Sequence, residues 1–386
     1  MDTRLSSEPA MMASNPNRGL LVHEWIAPAG GSENVLEAMT RAFPTADVQC
    51  LWNDAPARFS DRRVRETWLA ATPLRHHKAL AAAFCLPTWR LLPRGAYDWM
   101  LISSHLFAHH ARVRSATDDT RDIPKYVYVH TPARYIWTPE YDPRGQGRVV
   151  RSAAPAFRAI DHRRAAEPIA LAANSRFVRD RIARSWGREA VVIPPPVDVR
   201  AIADVATWER QLSDGDRRVL DALPEVFVLG ASRFATYKRL DLVIDTAERL
   251  GLPAVIAGRG PDEAALRDRA VHARIPVSVV VSPSDALLRG LYRAASVLLF
   301  PAIEDFGIVP VEAQVVGTPV VTGPVGGQLE TYVPGVTGVT ATGLSPRELA
   351  AATSTALDLP RFDGVEVTAK FSSGVFEERI RRFVTG

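Results

Sequence analysis

The stretch Phe300-Pro-Ala-Ile-Glu304-Asp-Phe-Gly-Ile-Val-Pro-Val-Glu312-Ala-Gln-Val-Val-Gly317-Thr-Pro-Val-Val321 decides the fold of this chain. An apolar, strand-like run from Ser296 to Phe300 leads into it, and a second run, Pro319 to Val321, follows. Between them, Pro310 stands where a helix begins and Gly317 where it stops. The unit therefore reads strand, loop, short helix, strand. It puts Glu304 in the loop at the carboxyl end of a strand and Glu312 in the first turn of the helix. In open parallel α/β sheets, ligands bind in the crevice outside the carboxyl ends of the strands. For Glu312 alone, pairing with the helix dipole explains the position equally well.

A second junction of the same kind lies upstream. Gly230-Ala-Ser-Arg233-Phe-Ala-Thr-Tyr-Lys238-Arg239 follows the apolar run Val226 to Leu229. A helical pattern then runs from Arg239 to Leu250, with Leu240, Val243, Ile244, Ala247 and Leu250 on one face. Arg233 and Lys238 thus sit at a strand-to-helix junction, where free backbone amides favour an anion. Two cations there suit a diphosphate. Two carboxylates on a neighbouring loop suit hydroxyl-rich groups, because a carboxylate accepts hydrogen bonds and repels phosphate. Together they describe a pocket for a sugar nucleotide.

At these residues the chain resembles the family-4 retaining glycosyltransferases of the GT-B fold, most of all the mannosyltransferase-type members acting on surface polysaccharides or secondary metabolites. The resemblance runs from about Gly19 over nearly the whole chain. It is carried by Val22-His-Glu24-Trp25, Pro28-Ala-Gly30-Gly31-Ser-Glu, Val129-His130-Thr-Pro-Ala-Arg134-Tyr135 and Ala173-Asn174-Ser175-Arg176. In the second half, Arg233…Tyr-Lys238-Arg239, Ala257-Gly258-Arg-Gly260-Pro261, the glutamate pair and Gly326-Gly327-Gln-Leu-Glu330 carry it. The pair with its flanks is highly specific; Gly-x-Gly-Pro is not. Glu24 replaces the aspartate that many relatives place after the histidine, keeping the charge on a longer arm. The segment between Trp137 and Ala170 is short and polar beside similar proteins.

The resemblance implies two Rossmann-like domains with parallel sheets facing across a cleft. The expected division is an acceptor-binding domain over 19–195, a donor-binding domain over 196–370, and a final helix over 371–386 returning to the first domain. Residues 1–18 read as a disordered lead. Glu312 is expected on the ribose. Glu304, with the amides of Asp305, Phe306 and Gly307, is expected to hold the donor sugar. Gly30, Gly31 and Gly258 complete the donor side, and His130 approaches the reacting carbon. Glu24, His105, Arg134 and Tyr135 are the acceptor-side candidates. The implied chemistry is retaining, front-face transfer, with Arg233 and Lys238 stabilising the departing diphosphate and neither cofactor nor metal required. Two other classes suit the same residues: a sugar-nucleotide epimerase, which needs no acceptor, and a non-catalytic sugar-nucleotide sensor.

Length and composition agree with two domains. The chain has 386 residues, 47% of them hydrophobic, enough for two cores. Its two cysteines, Cys50 and Cys85, form no spaced framework, which points to a reducing cytosol. No apolar run approaches the roughly 20 residues needed to span a bilayer. A net charge of +4 is too small an excess to favour nucleic acid, and no nucleic-acid-binding motif accompanies it.

Strand candidates recur between helical patterns. In the first half they are Leu20 to His23, Val48 to Leu51, Trp99 to Ser103, Tyr126 to His130 and Ile169 to Ala173. In the second they are Val226 to Gly230, Ala254 to Gly258, Val277 to Val281, Val297 to Phe300 and Val320 to Thr322. Pro194-Pro-Pro196, inside Val191 to Val199, marks the interdomain linker. Arginines over residues 62–94, interleaved with Trp68 and Trp89, read first as a solvated helical face with both tryptophans packed inward. The competing reading is an amphipathic, membrane-facing surface for a lipid acceptor, with the protein peripheral at the inner face of the membrane. His105, His109 and His110 have spacing that zinc accepts if they share a helix face, but no adjacent carboxylate completes a metalloenzyme motif. Asp214-Gly-Asp216 lies in a polar stretch with no strand before it and reads as a turn.

Overall fold

The computed structural model describes residues 18–118, 120–141 and 147–386. Residues 1–17, nearly all of the expected lead, lie outside them. Arg18, at the end of that lead, is tied down: its amide donates to Asp98 at 2.8 Å and its guanidinium to Asp47 at 3.1 Å.

Two parallel sheets form the molecule. The first has seven strands: β1 (Gly19–His23), β2 (Asp47–Cys50), β3 (Val64–Glu66), β4 (Trp99–Ser104), β5 (Lys125–Val129), β6 (Ala170–Ala173) and β7 (Val191–Val192). Their order is β3-β2-β1-β4-β5-β6-β7. The second has six: β8 (Val228–Ala231), β9 (Ala254–Gly258), β10 (Val277–Val281), β11 (Val297–Phe300), β12 (Val320–Thr322) and β13 (Gly338–Thr340), in the order β10-β9-β8-β11-β12-β13. The central strands β1, β4, β8 and β11 are buried on both faces, as helix-covered parallel strands must be. Continuous apolar runs produce this without alternation.

Three short strands, β3, β7 and β13, have no counterpart in the sequence reading. Three residues or fewer carry too little periodicity to read. β7 takes Val191 and Val192 into the first sheet, and the proline-containing crossing to the second domain follows it. The return crossing lies beside it: the Val197 amide donates to the Phe371 carbonyl at 2.8 Å.

The last helix, Ser373–Thr385, packs on Gly31–Ala42 of the first domain. Phe376, Ile380 and Val384 are buried in the same cluster as Leu36 and Met39. Each such side chain contributes about 1.5–3 kcal/mol when removed from water. Glu377 pairs with Arg41 at 2.8 Å on the rim of that contact.

Asp214-Gly-Asp216 is the first turn of a helix, Asp214–Asp221, and not a free turn. Ser213 caps the Asp216 amide, and Asp216 returns the bond to the Ser213 amide.

Residues 62–94 match neither reading fully. Trp89 is fully buried, but Trp68 is 53% exposed, with its indole N–H donating to Thr88 at 3.0 Å. Leu80, Phe84 and Leu91 are also exposed. The arginines are largely neutralised: Arg62, Arg65, Arg75 and Arg90 pair with Asp61, Asp47, Asp54 and Glu167. No helix among the described residues is long and apolar enough to cross a membrane.

Candidate active site

The carboxyl ends of the two sheets face each other across a cavity of about 340 Å³. His105, His130 and Asn174 line it from the first domain, and Lys238, Glu304 and the Asp305–Gly307 loop from the second. Pro195 of the linker and Ser232 also reach it.

The β11 loop brings Glu304 and the Asp305–Gly307 segment to the cavity at the carboxyl end of its strand. Gly307 has φ 99°, a left-handed conformation that glycine adopts without strain, and it caps the helix Ile308–Val315. The amides of Asp305, Phe306 and Gly307 enter no backbone hydrogen bond among the described residues. They are donors available to a ligand, at a helix start that favours negative charge. Glu304 is held from behind: its amide donates to Gln328 at 3.0 Å and its carbonyl accepts from Gly327 at 2.7 Å. Phe306 is turned into the protein, against Phe371.

Lys238 and Glu304 meet directly, Nζ donating to the carboxylate. A donor must separate them to use either. Lys238 is buried; desolvation, then Arg233 and Arg134, pull its pKa down to about 7, while Asp305 opposes the shift. Lys238 lies in a single 3₁₀ turn, Thr236–Lys238, and Arg239, with φ 54°, precedes the helix Leu240–Leu250 instead of opening it. Arg233 differs from expectation. It is exposed, its guanidinium donates to the Tyr237 hydroxyl, and it lies outside the cavity lining.

Glu312 is the fifth residue of its helix, one turn deeper than the first turn expected. The helix starts at Ile308, two residues before Pro310. The Glu312 carboxylate accepts from the Tyr292 hydroxyl at 3.0 Å. Burial raises its pKa, with Tyr292 and Arg289 working in the opposite direction.

Gly31 lines the cavity and opens the helix Gly31–Ala42; a Cβ there would meet Ile308 of the second domain at 3.0 Å. Gly30 precedes it, against the Glu33 carboxylate. Gly258 serves packing: with φ 151°, a Cβ would lie 1.8 Å from the Ser232 carbonyl oxygen.

Of the acceptor-side candidates, His105 alone lines the cavity. Glu24 is fully buried, its carboxylate accepting from the amides of His105, Leu106 and Ala108 at 3.2, 2.8 and 2.7 Å. Desolvation would raise its pKa, but His105 and then His23, helped by the Ala108 and His105 amides, hold it below the ordinary carboxylate range. It therefore shapes the loop after β4 and does not face an acceptor. Tyr135 packs beside Phe107 at the edge of the first core. Arg134 is engaged across the cleft: its Nε donates to Asp305 at 3.0 Å.

Asp305 has a role that local sequence does not signal. Its carboxylate accepts from Arg134 and, at 2.6 Å, from Arg181, while its carbonyl accepts from the Ser175 hydroxyl at 2.5 Å. Glu330 makes a second bridge, accepting from the amides of Arg176 and Phe177, both at 2.9 Å, at the start of the helix Arg176–Trp186. Two carboxylates of the second domain thus clasp the first.

The three histidines do not share a helix face. His105 turns to the cavity, whereas His109 and His110 follow a 3₁₀ turn, Ala108–His110, into the first core. There they meet Asp161, at 3.0 and 2.9 Å, the carboxylate that sequence proximity did not supply. The three could hold a cation by spacing alone. The other Asp161 oxygen, however, accepts from the indoles of Trp137 and Trp186, both at 2.7 Å. The set is a buried anion held by N–H donors of His110, Trp137 and Trp186, with His109 beside it, away from the cavity.

Comparison with known proteins follows the same division. The family described as Glycosyltransferase Family 4 matches residues 29–201, and Glycosyl transferases group 1 matches residues 216–372. A D-inositol 3-phosphate glycosyltransferase of Geodermatophilus obscurus is 34% identical over 216 residues, covering 44% of this chain and 47% of the relative. The alpha-1,3/1,6-mannosyltransferase alg-2 of Neurospora crassa is 27% identical over 208 residues, 44% of each. The chain thus spans about half the length of the curated relatives it matches. Among solved structures, Anabaena HepE, crystallised with UDP and glucose, superposes with TM-score 0.66 at 17% identity, covering 95% of this chain and 98% of that one. The trehalose 6-phosphate synthase of Burkholderia multivorans gives 0.68 at 14% identity, covering 95% and 98%. These likenesses show the two-domain GT-B fold.

Proposed function

Since this chain belongs to the family-4 glycosyltransferases of the GT-B fold, we propose that it moves a hexose or amino-hexose from a nucleoside-diphosphate sugar to an acceptor hydroxyl. The observation that carries the proposal is the meeting of Lys238, Glu304, His130 and three free loop amides around one cavity between the domains. The ammonium and amides suit a diphosphate that gains charge as the sugar–phosphate bond stretches. Glu304, released from Lys238, accepts hydrogen bonds from sugar hydroxyls. The transfer is retaining and front-face, a phosphate oxygen taking the acceptor's proton, and it needs no metal.

HepE's complex with UDP and glucose supports a UDP-hexose as the first donor to test, and the mannosyltransferase relative supports GDP-mannose beside it. The acceptor is a polyhydroxylated molecule: a glycan, a lipid-linked sugar or a small aminocyclitol of an aminoglycoside type. The relatives named for D-inositol 3-phosphate support a cyclitol. For a lipid-linked acceptor, the exposed Trp68, Leu80, Phe84 and Leu91 support peripheral membrane contact.

A donor panel followed by thermal shift tests the reading, since the true donor stabilises the fold by mass action. The stabilising donor is then incubated with candidate acceptors and the product's anomeric configuration read by NMR. Conversion of the donor to another sugar nucleotide without acceptor would replace transfer with epimerisation. Binding without any turnover would leave a sensor.

A further inference from the structure

His130 is wired to two residues that the reaction scheme leaves unused. β1, β4 and β5 are neighbours in the first sheet, and His23 stands opposite Ser103 in the β1–β4 register. His130 directly follows β5, its amide donating to the Ser104 carbonyl at 2.8 Å. A row of side chains therefore crosses the sheet's carboxyl edge. His23 Nδ1 lies 3.1 Å from Ser103 Oγ, and Ser103 Oγ lies 2.8 Å from His130 Nε2. We propose that Ser103 and His23 are positioning residues that hold His130 with its proton on Nδ1, so that it meets the cavity as a hydrogen-bond donor.

A serine hydroxyl has one proton and can donate to only one of the two rings. If Ser103 donated to His23 Nδ1, His23 would carry its own proton on Nε2. That atom is buried and has no hydrogen-bond partner among the described residues. The neighbouring carboxylates are already committed: Glu24 to three amides, Glu33 to the Ala27 amide at 3.1 Å and the Ser32 hydroxyl at 2.8 Å. An orphaned buried N–H is rare in proteins, and an unsatisfied lone pair is the milder loss. The favoured arrangement has His23 Nδ1–H donating to Ser103, and Ser103 donating to His130 Nε2. His130 then keeps its proton on Nδ1, which no described residue engages, on a ring that lines the cavity. Both rings are neutral near pH 7: desolvation, followed by His105, lowers His23 to about 4 and holds His130 well below its ordinary value.

The consequence is chemical. A ring presenting N–H can stabilise an oxygen that gains negative charge, but it cannot take a proton from an incoming hydroxyl. His130 is thereby excluded as general base, and its ligand is an acceptor oxygen in the cavity. That this oxygen belongs to a sugar nucleotide rests on the proposed transfer; the tautomer does not.

The test is long-range ¹H–¹⁵N correlation on the full chain labelled at histidine, with His130 assigned from His130→Gln. Expected is a protonated Nδ1 and an unprotonated Nε2. Ser103→Ala should let the proton move to Nε2 and lower kcat on the order of tenfold, with a smaller change in donor KM. Ser103→Thr, which keeps the hydroxyl, should retain the Nδ1–H form. A wild-type ring protonated on Nε2, or a tautomer unchanged in Ser103→Ala, would overturn the inference. The Nδ1–H form in a protein that transfers no sugar would uphold it and overturn the proposed function instead.

Discussion

Arg181 donates to the Asp305 carboxylate at 2.6 Å, and the two residues belong to different domains. Arg181 is 2% exposed and Asp305 only 14%, so little water remains to replace the contact. Asp305 follows Glu304, and the clasp therefore fixes where Glu304 stands relative to His130. Asp305→Asn should raise donor KM and lower kcat together, each on the order of tenfold, because charge-assisted bonds hold the loop in register. Small-angle X-ray scattering should show a larger radius of gyration for the variant without ligand. Unchanged kinetics with an unchanged radius would remove Asp305 from this role.

In the proposed transfer, Lys238 is expected to give a pH dependence. Desolvation, then Arg233 and Arg134, lowers its pKa toward about 7 in the free protein, against Asp305 and the Glu304 carboxylate that Nζ touches. The diphosphate needs the ammonium, so donor capture weakens as pH rises through that value. kcat/KM for donor should show a basic limb there. kcat should hold to higher pH, because the bound donor's charges favour the ammonium. Lys238→Arg should remove the limb, since a guanidinium stays charged. Lys238→Ala should slow transfer on the order of a hundredfold or more. A flat kcat/KM profile from about pH 6 to about pH 9 would show that Lys238 does not meet the phosphates.

Asp161 is a fully buried structural anion. Asp161→Asn sets an amide against ring N–H donors from His110, Trp137 and Trp186, with His109 in close contact. The expected loss is about 3 kcal/mol, read by chemical denaturation. His109 and His110 hold the native carboxyl far below its unfolded range, overcoming the desolvation that opposes them. Its contribution is therefore fully present above about pH 4 and fades as pH falls below it. The stability gap between wild type and Asp161→Asn should narrow in acid. A gap constant down to about pH 3 would mean that the carboxylate charge is irrelevant.

Strands β9 to β12 were legible to the residue because runs such as Val277–Val281, Val297–Phe300 and Val320–Thr322 are compact and apolar between turn signals, whereas β8 starts two residues later than expected and β13 was not read. Glu304 and Lys238 were legible because strand ends advertise themselves. Contacts remote in sequence were not. Asp305 meets Arg134 and Arg181 across 171 and 124 residues. Glu24 looked like a cleft residue because the amides that bury it lie 81 or more residues away. Ser103 did leave a trace: two hydroxyls, Ser103 and Ser104, end an otherwise apolar strand.

Transfer is expected to survive chelation. The cavity supplies an ammonium and unbonded amides for the diphosphate, and the His109–His110–Asp161 group lies in the core, away from it. Initial rates with and without EDTA decide this. Loss of activity that magnesium or manganese restores would assign the phosphate charge to a metal.

In the proposed transfer, the two glutamates separate by which part of the donor each would touch. Glu312 is half-buried one turn into its helix and bound to Tyr292, and the proposed ribose contact lies far from the bond being broken. An interaction equally strong before and during reaction contributes to binding alone, so Glu312→Gln should raise donor KM more than it lowers kcat. Glu304 faces the cavity and must leave Lys238 before it can hold the sugar. Its bonds to the sugar change as the anomeric carbon moves toward the acceptor, and interactions specific to that stage appear in kcat. Glu304→Gln should therefore lower kcat on the order of tenfold or more, even though glutamine keeps one acceptor oxygen. The variant also releases Lys238 from its carboxylate, which should lower donor KM and make the split more pronounced. Steady-state kinetics of both variants with one donor–acceptor pair provide the comparison. A kcat loss confined to Glu312→Gln, with only KM changed in Glu304→Gln, would reverse the two assignments.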